Sequence, residues 1–427
     1  MEHMSITELV EVSHRYGRNP DYVLGGGGNT SWKSADTLFV KASGTSLGTI
    51  DESGFVALSL QEVRDILGQT FPDDSAAREA QVLSALMGAR RPGQTMRPSV
   101  ETILHALFPF SYVVHTHPAI VNGLLCSMDA EQSVYRLFGE DVLWVPYTTP
   151  GYILSKTLFD CFADRVKQGR PFPSIVFLQN HGIFVAADTI KKIDSQYAMV
   201  FDRIRHNIAR DPDFSTQTYS TQNLAIPEGK ANAAKDTVAA LGDAIASAEA
   251  THIESPVAPI ENPVVEFETN AEILRLGDSE ASFAPLMGAF SPDHIVYAGA
   301  RPLFVSLSTL SDTAIDSGEA SGPATISGLS GISGLSAASM KKRLDAHLDT
   351  YIKKEDGRPR IVVIEKVGAF AIGKNAKAAH LAMCLFKDAV KVATYSQNFG
   401  GPHFMAQRDV DFIKKWEVEQ YRSSVSA

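Results

Sequence analysis

Two histidines stand two positions apart at the end of an apolar stretch, in the segment Tyr-Val-Val-His115-Thr-His117. Because side chains alternate between the two faces of a β-strand, His115 and His117 are predicted to lie on the same face. A third histidine, His181, follows a second apolar run. Three neutral imidazoles that leave a fourth coordination position open form the ligand set of catalytic zinc sites. The spacing therefore predicts a metal site whose ion could polarise a carbonyl or stabilise an enolate.

The alternative interpretation of these histidines is structural. A polar residue at the end of a strand commonly bonds to the backbone, and a single buried histidine would fit that interpretation. Two imidazoles on one face of an apolar strand are costly to bury without partners, which favours metal binding. The other histidines considered lack such neighbours and are interpreted as structural or surface residues: His14, His105, His206, His252, His294, His347, His380 and His403.

The bulk composition is that of an ordinary globular protein. The chain has 427 residues, of which 44% are apolar and 21% charged, and its length suits two domains. The net charge of −10 argues against a nucleic-acid partner. The three cysteines are far apart, which indicates neither a disulfide framework nor a thiolate metal site. With no signal-like N-terminus and no apolar run long enough for a membrane span, we expect a cytoplasmic protein without a membrane partner.

Strands and helices alternate along the first half, without the regular rhythm of a doubly wound sheet. A polar, turn-rich stretch over 211–229 predicts a boundary that divides the chain into domains at 1–212 and 228–427. The predicted elements of the first domain are helices at 5–16, 59–68, 100–108 (capped by Ser99) and 190–209, and strands at 38–41, 112–117 and 174–185.

The second half is predicted to be a smaller α/β domain. Residues 311–339 are dominated by Ser, Gly, Ala and Thr, so we expect a flexible insertion there. The segment 368–375 almost spells a phosphate-binding loop, but it is apolar and Asn375 stands where a Ser or Thr would bind magnesium, which disfavours nucleotide binding. The predicted elements are helices at 231–250, 341–354, 376–393 and 406–422, and strands at 294–297, 302–305 and 361–367.

Five short motifs occur in order along the first half: Gly27-Gly28-Asn29-Thr30-Ser31, Lys41-Ala42-Ser43-Gly44-Thr45, Pro98-Ser99-Val100-Glu101 with His105, His115-Thr116-His117-Pro118, and Asn180-His181-Gly182. Together they resemble the class II aldolase and adducin family, and more closely the aldolase half of bifunctional rhamnulose-1-phosphate aldolase/alcohol dehydrogenases. There the resemblance continues through Phe290-Ser-Pro-Asp293-His294 to Trp416 and Tyr421. It implies a mixed α/β fold, namely a class II aldolase-like α/β/α sandwich with a central, mostly antiparallel sheet, followed by the smaller α/β domain.

The resemblance also implies roles for individual residues. His115, His117 and His181 match the family's ligands for Zn2+, and Glu101 matches its catalytic acid/base. In the cleavage direction, zinc would hold the ketose carbonyl and a neighbouring hydroxyl and stabilise the enediolate, whose carbon Glu101 would protonate. Without the family match, Glu101 is better interpreted as a charge that complements a helix N-terminus.

A substrate phosphate site is implied at turns where small residues let amides and hydroxyls approach an anion closely. The matching residues are Gly28, Asn29, Ser43, Gly44 and Ser99. Lys41 could add a charge from the strand face of Ser43, although a lysine at a strand end is more often solvated. Val100 stands where simple fuculose-phosphate-type aldolases have a second serine, so one donor of the family pattern is absent.

The implied activity is that of a zinc-dependent aldolase. It would cleave a phosphorylated ketose, with rhamnulose 1-phosphate as the first candidate, into dihydroxyacetone phosphate and an aldehyde. Two alternatives stay open: another zinc-dependent lyase, epimerase, decarboxylase or dehydratase on the same fold, and a non-catalytic interaction protein like adducin, which would lack the metal histidines. Relatives assemble as tetramers, so we expect a homotetramer.

Two features of the family pattern are not found by sequence. No strand-GxGxxG-helix fingerprint is present, so oxidation of the aldehyde product is not assigned to this chain. The family's aldehyde-side tyrosine is not securely mapped. Tyr135 and Tyr147 are the candidates, and core packing is the favoured interpretation of each.

Overall fold

A computed structural model describes residues 2–215, 239–247, 260, 262–310, 337–355 and 357–417. The chain divides into two compact units. The first unit comprises Met1–Arg210, Phe290–Pro292 and Thr394–Ser426, and the second comprises Asp211–Ala289 and Asp293–Ala393 with Ala427. Among the described residues, no helix is long and apolar enough to cross a membrane.

The first unit is built on a seven-stranded sheet in the order β3-β2-β1-β4-β7-β6-β5. Its strands are β1 (Asn29–Lys33), β2 (Thr37–Lys41), β3 (Phe55–Ser59), β4 (Tyr112–Thr116), β5 (Leu143–Val145), β6 (Ile175–Leu178) and β7 (Gly182–Ala187). Neighbouring strands are antiparallel except β5 and β6, which are parallel. The prediction of a mixed α/β fold with a mostly antiparallel sheet is confirmed.

Helices connect these strands. They are α1 (Glu2–Gly17), α2 (Leu60–Asp65), α3 (Ser75–Gly88), α4 (Thr102–Leu107), α5 (Ala119–Leu125), α6 (Ala130–Phe138), α7 (Tyr152–Lys167) and α8 (Ile190–Arg205). Short 3-10 turns lie at Glu52–Gly54, Ile66–Gly68 and Gly139–Asp141. The predicted helix at 59–68 is therefore α2 followed by a 3-10 turn.

Helices cover both faces of the sheet because its central strands are apolar on both sides. All five residues of β4 are buried. On one face, Val113 lies in a core that also contains Leu104 of α4 and Leu158 of α7. On the other face, the hydroxyl groups of Thr116 and Tyr197, a residue of α8, are 2.7 Å apart and hydrogen-bonded. A sheet covered in this way buries the residues that carry the candidate ligands.

The helix after the candidate acid/base begins later than predicted. The sequence predicts a helix over 100–108 capped by Ser99, but α4 begins at Thr102 and Glu101 occupies its N-cap position. The Glu101 side chain makes no capping hydrogen bond, and its backbone amide donates to the Ser99 hydroxyl at 3.3 Å. The Glu101 carboxylate is thus not used to complete its own helix.

The apolar run at 174–185, predicted as one strand, is two antiparallel strands joined by a tight turn. β6 ends at Leu178 and β7 begins at Gly182, and these two residues pair with each other. Asn180 adopts a left-handed conformation with φ of 53°, which asparagine tolerates better than most residues. Its side-chain amide donates to the carbonyls of Phe290 and His403, each at 2.9 Å. The prediction was wrong because both strands are fully buried, which gives a continuous apolar pattern.

The first unit ends with a helix from the C-terminal part of the chain. A 3-10 turn at Gln397–Phe399 precedes it, and the helix spans Gln407–Lys415. The sequence predicts this helix over 406–422; the residues beyond Glu417 lie outside the described part of the chain.

The second unit contains a four-stranded sheet in the order β8-β11-β10-β9. The strands are β8 (Val264–Glu268), β9 (Leu303–Val305), β10 (Ile361–Ile364) and β11 (Gly368–Gly373). Helices of this unit are α9 (239–247), α10 (Ala271–Leu276), α11 (Glu280–Phe283), α12 (Leu307–Leu310), α13 (Ala337–Glu355) and α14 (Ala376–Ser396), the last three residues of which belong to the first unit. The helix of the first unit at Gln407–Lys415 is α15.

Two predictions for the second unit are corrected by this structure. Residues 294–297, predicted as a strand, lie in a π-helical turn at His294–Ala298. The strand predicted over 361–367 ends at Ile364, and β11 begins a few residues later. The segment 368–375, which its sequence disfavours as a phosphate-binding loop, is indeed mostly β11, whose residues pair with strands on both sides, so its amides are not arranged around an anion. The predicted insertion at 311–339 lies outside the described residues except for 337–339, which begin α13.

Candidate metal centre

The three predicted metal ligands come together in the first unit. The Nε2 atoms of His115 and His117 are 2.9 Å apart, and those of His115 and His181 are 3.4 Å apart. The ligand atoms of all three residues lie within 4.8 Å of one another. His115 is fully buried, His181 is 7% exposed and His117 is partly buried. The predicted triad is therefore a compact group of ring nitrogens at the end of β4.

The sheet determines which nitrogen of His115 faces the group. In β4, His115 pairs with Phe184 of β7, and its Nδ1 lies 3.0 Å from the carbonyl oxygen of Ile183. A carbonyl only accepts, so Nδ1 carries the proton and Nε2 keeps a free lone pair toward the other histidines. The Phe184 ring stacks on the imidazole with centroids 4.0 Å apart, which fixes its plane. Such orientation through the second nitrogen is common to metal-bound histidines.

A glycine allows the three rings to approach. Gly182 begins β7 directly after His181. A Cβ atom at Gly182 would lie 2.5 Å from the Thr116 carbonyl oxygen and 2.6 Å from Cδ2 of His117. Both distances are shorter than real contacts allow, so a side chain here would push the ligand strand and the ligand turn apart. The glycine of the Asn180-His181-Gly182 motif is thus required by close packing.

The protonation state of His115 suits metal binding. Burial lowers its pKa to about 4, although the carboxylate of Glu101 acts in the opposite direction. The ring is therefore neutral at neutral pH, which is the form that donates a lone pair to a cation.

Glu101 faces the same point as the histidines. Its Oε1 atom is 3.3 Å from Nε2 of His115 and 3.2 Å from Nε2 of His181. That oxygen is buried and has no hydrogen bond of good geometry within the described residues. Burial alone would raise the pKa of Glu101, but charge and hydrogen bonding from His115 and His181 lower it well below its usual range. The carboxylate is ionised when a positive charge, either a protonated imidazole or a cation at the shared point, lies next to it.

The donor set fits a divalent metal ion. A buried carboxylate oxygen without a hydrogen bond within the described residues is unfavourable. A cation at the point that this oxygen shares with the ring nitrogens would balance its charge. Three imidazoles leave a position open for another ligand, which is the composition of catalytic zinc sites.

A buried hydrogen-bonded chain holds Glu101 from the side opposite the histidines. The side-chain amide of Asn29 donates to Oε2 of Glu101 at 2.5 Å and to the Ser99 hydroxyl at 3.3 Å. The Asn29 carbonyl oxygen accepts a short hydrogen bond from Nε2 of His105, and Nδ1 of His105 lies 2.7 Å from the Ser31 hydroxyl. His105 thus fixes the amide orientation of Asn29, and Asn29 fixes the carboxylate.

The role of His105 was missed from the sequence. Burial, with the nearby charge of Lys33, keeps the pKa of His105 well below its usual value, so the ring is neutral. The sequence interpretation as an isolated structural histidine was too simple, because its partners Asn29 and Ser31 lie on a strand far away in the chain. The available signal was its position four residues after Glu101, which places it about one helical turn further along α4.

The predicted phosphate-binding residues are only partly arranged as expected. The backbone amide of Ser43 donates to the Arg97 carbonyl at 2.8 Å, and that of Ser99 donates to the Lys41 carbonyl at 3.1 Å. These two residues could therefore contact an anion through their hydroxyls and not their amides. Gly44 adopts a left-handed conformation with φ of 84°.

Gly28 is not a flexible turn residue and Lys41 is not exposed to solvent. The φ of Gly28 is 66°, and a Cβ atom there would lie 2.9 Å from the His115 carbonyl oxygen. Lys41 ends β2 and is 4% exposed, so it is not the solvated lysine that is usual at a strand end. Gly28 thus brings the turn before β1 against the strand that carries His115.

The two candidate tyrosines occupy different surroundings. Tyr135 is 36% exposed, so the interpretation as a core residue does not hold for it. Tyr147 is partly buried, its hydroxyl has no hydrogen-bond partner within the described part of the chain, and burial raises its pKa. Its backbone amide donates to the Gln179 side chain at 2.9 Å, next to the turn that carries His181.

The first unit also matches a known domain family. Residues 7–200 match the family model described as "Class II Aldolase and Adducin N-terminal domain". This match identifies a class II aldolase fold in the first unit, to which the chain adds a further α/β region.

The individual proteins that resemble this chain share less than 30% sequence identity with it. The "Uncharacterized oxidoreductase YuxG" of Bacillus subtilis (strain 168) is 23% identical over 447 residues, which cover 99% of this chain and 58% of that protein. The chain therefore spans less than two thirds of the length of this curated relative. Among solved structures, the N-terminal class II aldolase domain of a conserved protein from Thermoplasma acidophilum is 28% identical, covers 47% of this chain and 92% of its own, and has a TM-score of 0.40. The L-fuculose-1-phosphate aldolase of Thermus thermophilus is 13% identical, covers 48% and 94%, and has a TM-score of 0.32.

The packing around Gly182 leads to a test that needs no substrate. We expect Gly182→Ala to weaken zinc binding by about tenfold or more, because the added methyl group separates His117 from the ligand turn. Competition with a chromophoric chelator measures the affinity. Gly88→Ala is the matched control, since a Cβ atom there meets nothing within 4 Å. Equal zinc affinity in the Gly182→Ala variant and the native protein would contradict the described packing.

Proposed function

We propose that this chain, whose residues 7–200 form a class II aldolase and adducin domain, is a zinc-dependent aldolase that acts on a phosphorylated ketose. Rhamnulose 1-phosphate is the first candidate, and dihydroxyacetone phosphate and an aldehyde are the products. The observation that carries the proposal is the common point faced by three histidine Nε2 atoms and Oε1 of Glu101.

Each residue of the site has a role in this reaction. When bound, the zinc ion supplies a Lewis acid for the ketose carbonyl. His115, His117 and His181 hold the ion as neutral ligands. In the synthesis direction, Glu101 takes the proton from the reacting carbon, and the alkoxide formed from the aldehyde takes up a proton; in the cleavage direction both transfers run in reverse. Asn29, held by His105, keeps the carboxylate aimed at that carbon.

The phosphate of the substrate is proposed to bind on the β1 and β2 side of the centre. Gly28 packs against the His115 backbone, which places the preceding turn beside the ligand strand. The hydroxyls of Ser43 and Ser99 and the amide of Gly44 are the proposed donors to the phosphate, with Asn29 at the junction of the two sites. Lys41 adds a buried positive charge on this side. Assembly as a homotetramer is part of the proposal and is checked by sedimentation.

The first test measures metal content and cleavage together. We expect about one zinc per chain in the native protein, and loss of the metal in His115→Ala/His117→Ala because two of three ligands are removed. Elemental mass spectrometry measures the metal, and a coupled assay for dihydroxyacetone phosphate measures cleavage of rhamnulose 1-phosphate and related ketose phosphates. A protein that retains no zinc when supplied with it rules out the proposal. Zinc binding with an epimerised or dehydrated product would identify another reaction at the same site.

The second test separates metal binding from proton transfer. Glu101→Gln keeps the size of the side chain and removes its basicity, so we expect kcat to fall by about 10²- to 10⁴-fold while zinc is retained. Exchange of the α-proton of dihydroxyacetone phosphate with deuterated water, followed by NMR, should fall with kcat. An undiminished exchange rate in this variant would assign the base to another residue.

The third test concerns the buried chain behind Glu101. His105→Ala leaves Asn29 free to rotate, so we expect kcat to fall about tenfold or more with little change in KM and with full zinc content. His14→Ala is the control, because His14 is a partly buried histidine that contacts the Ile50 carbonyl outside this chain of hydrogen bonds. If both variants lose activity equally, His105 has only a structural role.

A further inference from the structure

The sheet of the second unit repeats part of the sheet of the first. The order β8-β11-β10-β9 corresponds to β4-β7-β6-β5. In both series the first two pairs are antiparallel, and the last pair is parallel. The connections between strands are also of the same kind. Two short helices follow β4 and two follow β8, whereas a single long helix follows each of β7 and β11. Shared order and direction alone would be a weak argument, because small α/β units have few available topologies.

The strand registers agree residue by residue, which is a stronger argument. The hairpin of β6 and β7 begins with Ile175 opposite Val185 and closes with Leu178 opposite Gly182. The hairpin of β10 and β11 begins with Ile361 opposite Ala371 and closes with Ile364 opposite Gly368. Both hairpins pair the same number of residues and have connections of equal length.

The parallel pairs are equally matched. Val145 lies beside Leu178, and Val305 lies beside Ile364. In each hairpin, the backbone amide of the residue after the first strand donates to the neighbouring parallel strand. The Gln179 amide donates to the Val145 carbonyl and the Glu365 amide to the Val305 carbonyl, both at 3.0 Å.

The connecting turns have the same conformation. Asn180 and Lys366 occupy corresponding positions, and both are non-glycine residues with positive φ, at 53° and 57°. Their amides donate to the carbonyls at the ends of the corresponding helices, Asn180 to Leu125 and Lys366 to Gly277. Positive φ is rare outside glycine, so its recurrence at the matched position is informative.

The start of the long helix also recurs. Thr189 caps α8 by accepting from the Lys192 amide, and Asn375 accepts from the Ala378 amide at the start of α14. Gly368 occupies the place of Gly182, and a Cβ atom there would lie 2.7 Å from the Phe267 ring and 2.8 Å from the Glu268 carbonyl.

This correspondence identifies the residues that stand where the metal ligands stand in the first unit. His115 pairs with Phe184, and Phe267 pairs with Phe370, so Phe267 takes the place of His115. Counting along the strand and the turn, Thr269 takes the place of His117 and Val367 that of His181. The Phe267 ring contacts the Phe370 ring with centroids 4.8 Å apart, as the His115 ring stacks on Phe184.

We propose that the second unit is a structural repeat of residues 112–205 in which Phe267, Thr269 and Val367 stand in the places of the three histidines of the first unit. The Thr269 hydroxyl is buried without a hydrogen-bond partner among the described residues, at the position where the first unit has a ligand. The proposal rests on backbone pairing and does not depend on the aldolase activity. It assigns the second unit a non-catalytic role in a chain built from two related sheets.

The test introduces histidines at the three positions that correspond to His115, His117 and His181. In the full chain, Phe267→His/Thr269→His/Val367→His is expected to raise the metal content from about one to about two zinc ions per chain, by mass spectrometry after dialysis. Combined with His115→Ala/His117→Ala, it should bind about one, and cobalt substitution should give the absorption of a tetrahedral site. The matched control is Glu266→His/Glu268→His/Val367→His, which places two histidines on the opposite face of β8 and should leave the content at one.

A folded triple variant that still binds one metal overturns the proposal. If that variant does not fold, Thr269→His/Val367→His leaves Phe267 in its core and should add a weaker site in a cobalt titration; no added site overturns the proposal. If neither variant folds, an experimental structure of the native chain decides. A register that pairs Ile361 with Ala371 and Ile364 with Gly368 upholds the proposal, and any other register rejects it.

Discussion

The metal centre depends on the cost of burying three imidazoles and one carboxylate at a single point. Unpaired polar groups inside a protein cost about 1–3 kcal/mol each, and more when charged. Hydrogen bonds from the surrounding structure reduce that cost. Nδ1 of His115 donates to the Ile183 carbonyl, and the Asn29 side-chain amide donates to Oε2 of Glu101. The three histidine Nε2 atoms and Oε1 of Glu101 point inward, to the place where a cation would bind.

Close backbone packing makes this convergence possible. Gly28 and Gly182 lie on the two sides of β4, and each is within contact distance of a carbonyl of that strand. A side chain at either position would displace the ligand strand. The two motif glycines therefore act through the absence of a Cβ atom, and only Gly28 also uses the conformational freedom of glycine.

The sequence predicted the part of the site that depends on local periodicity. The alternation of a strand was enough to place His115 and His117 on one face, and the order of the motifs was enough to add His181 and Glu101. The turn at Asn180 was missed, because two buried strands in succession give no polar interruption and the left-handed residue is an asparagine rather than a glycine. The partnership of His105 with Asn29 was missed because it crosses from a helix to a strand that are remote in sequence. The π-helical turn at His294 was mistaken for a strand because its short apolar run has no helical period.

The contacts of Asn180 have a consequence for the order in which the centre forms during synthesis. All three histidines, Glu101 and the sheet that carries them lie before Arg210. The carbonyls that receive the Asn180 side chain belong to Phe290 and His403, which leave the ribosome much later. A nascent chain can thus contain every metal ligand while the turn that aims one of them still lacks its anchors. Completion of the centre is therefore tied to synthesis of these later segments, and metal taken up before that point would be held by a less constrained third histidine.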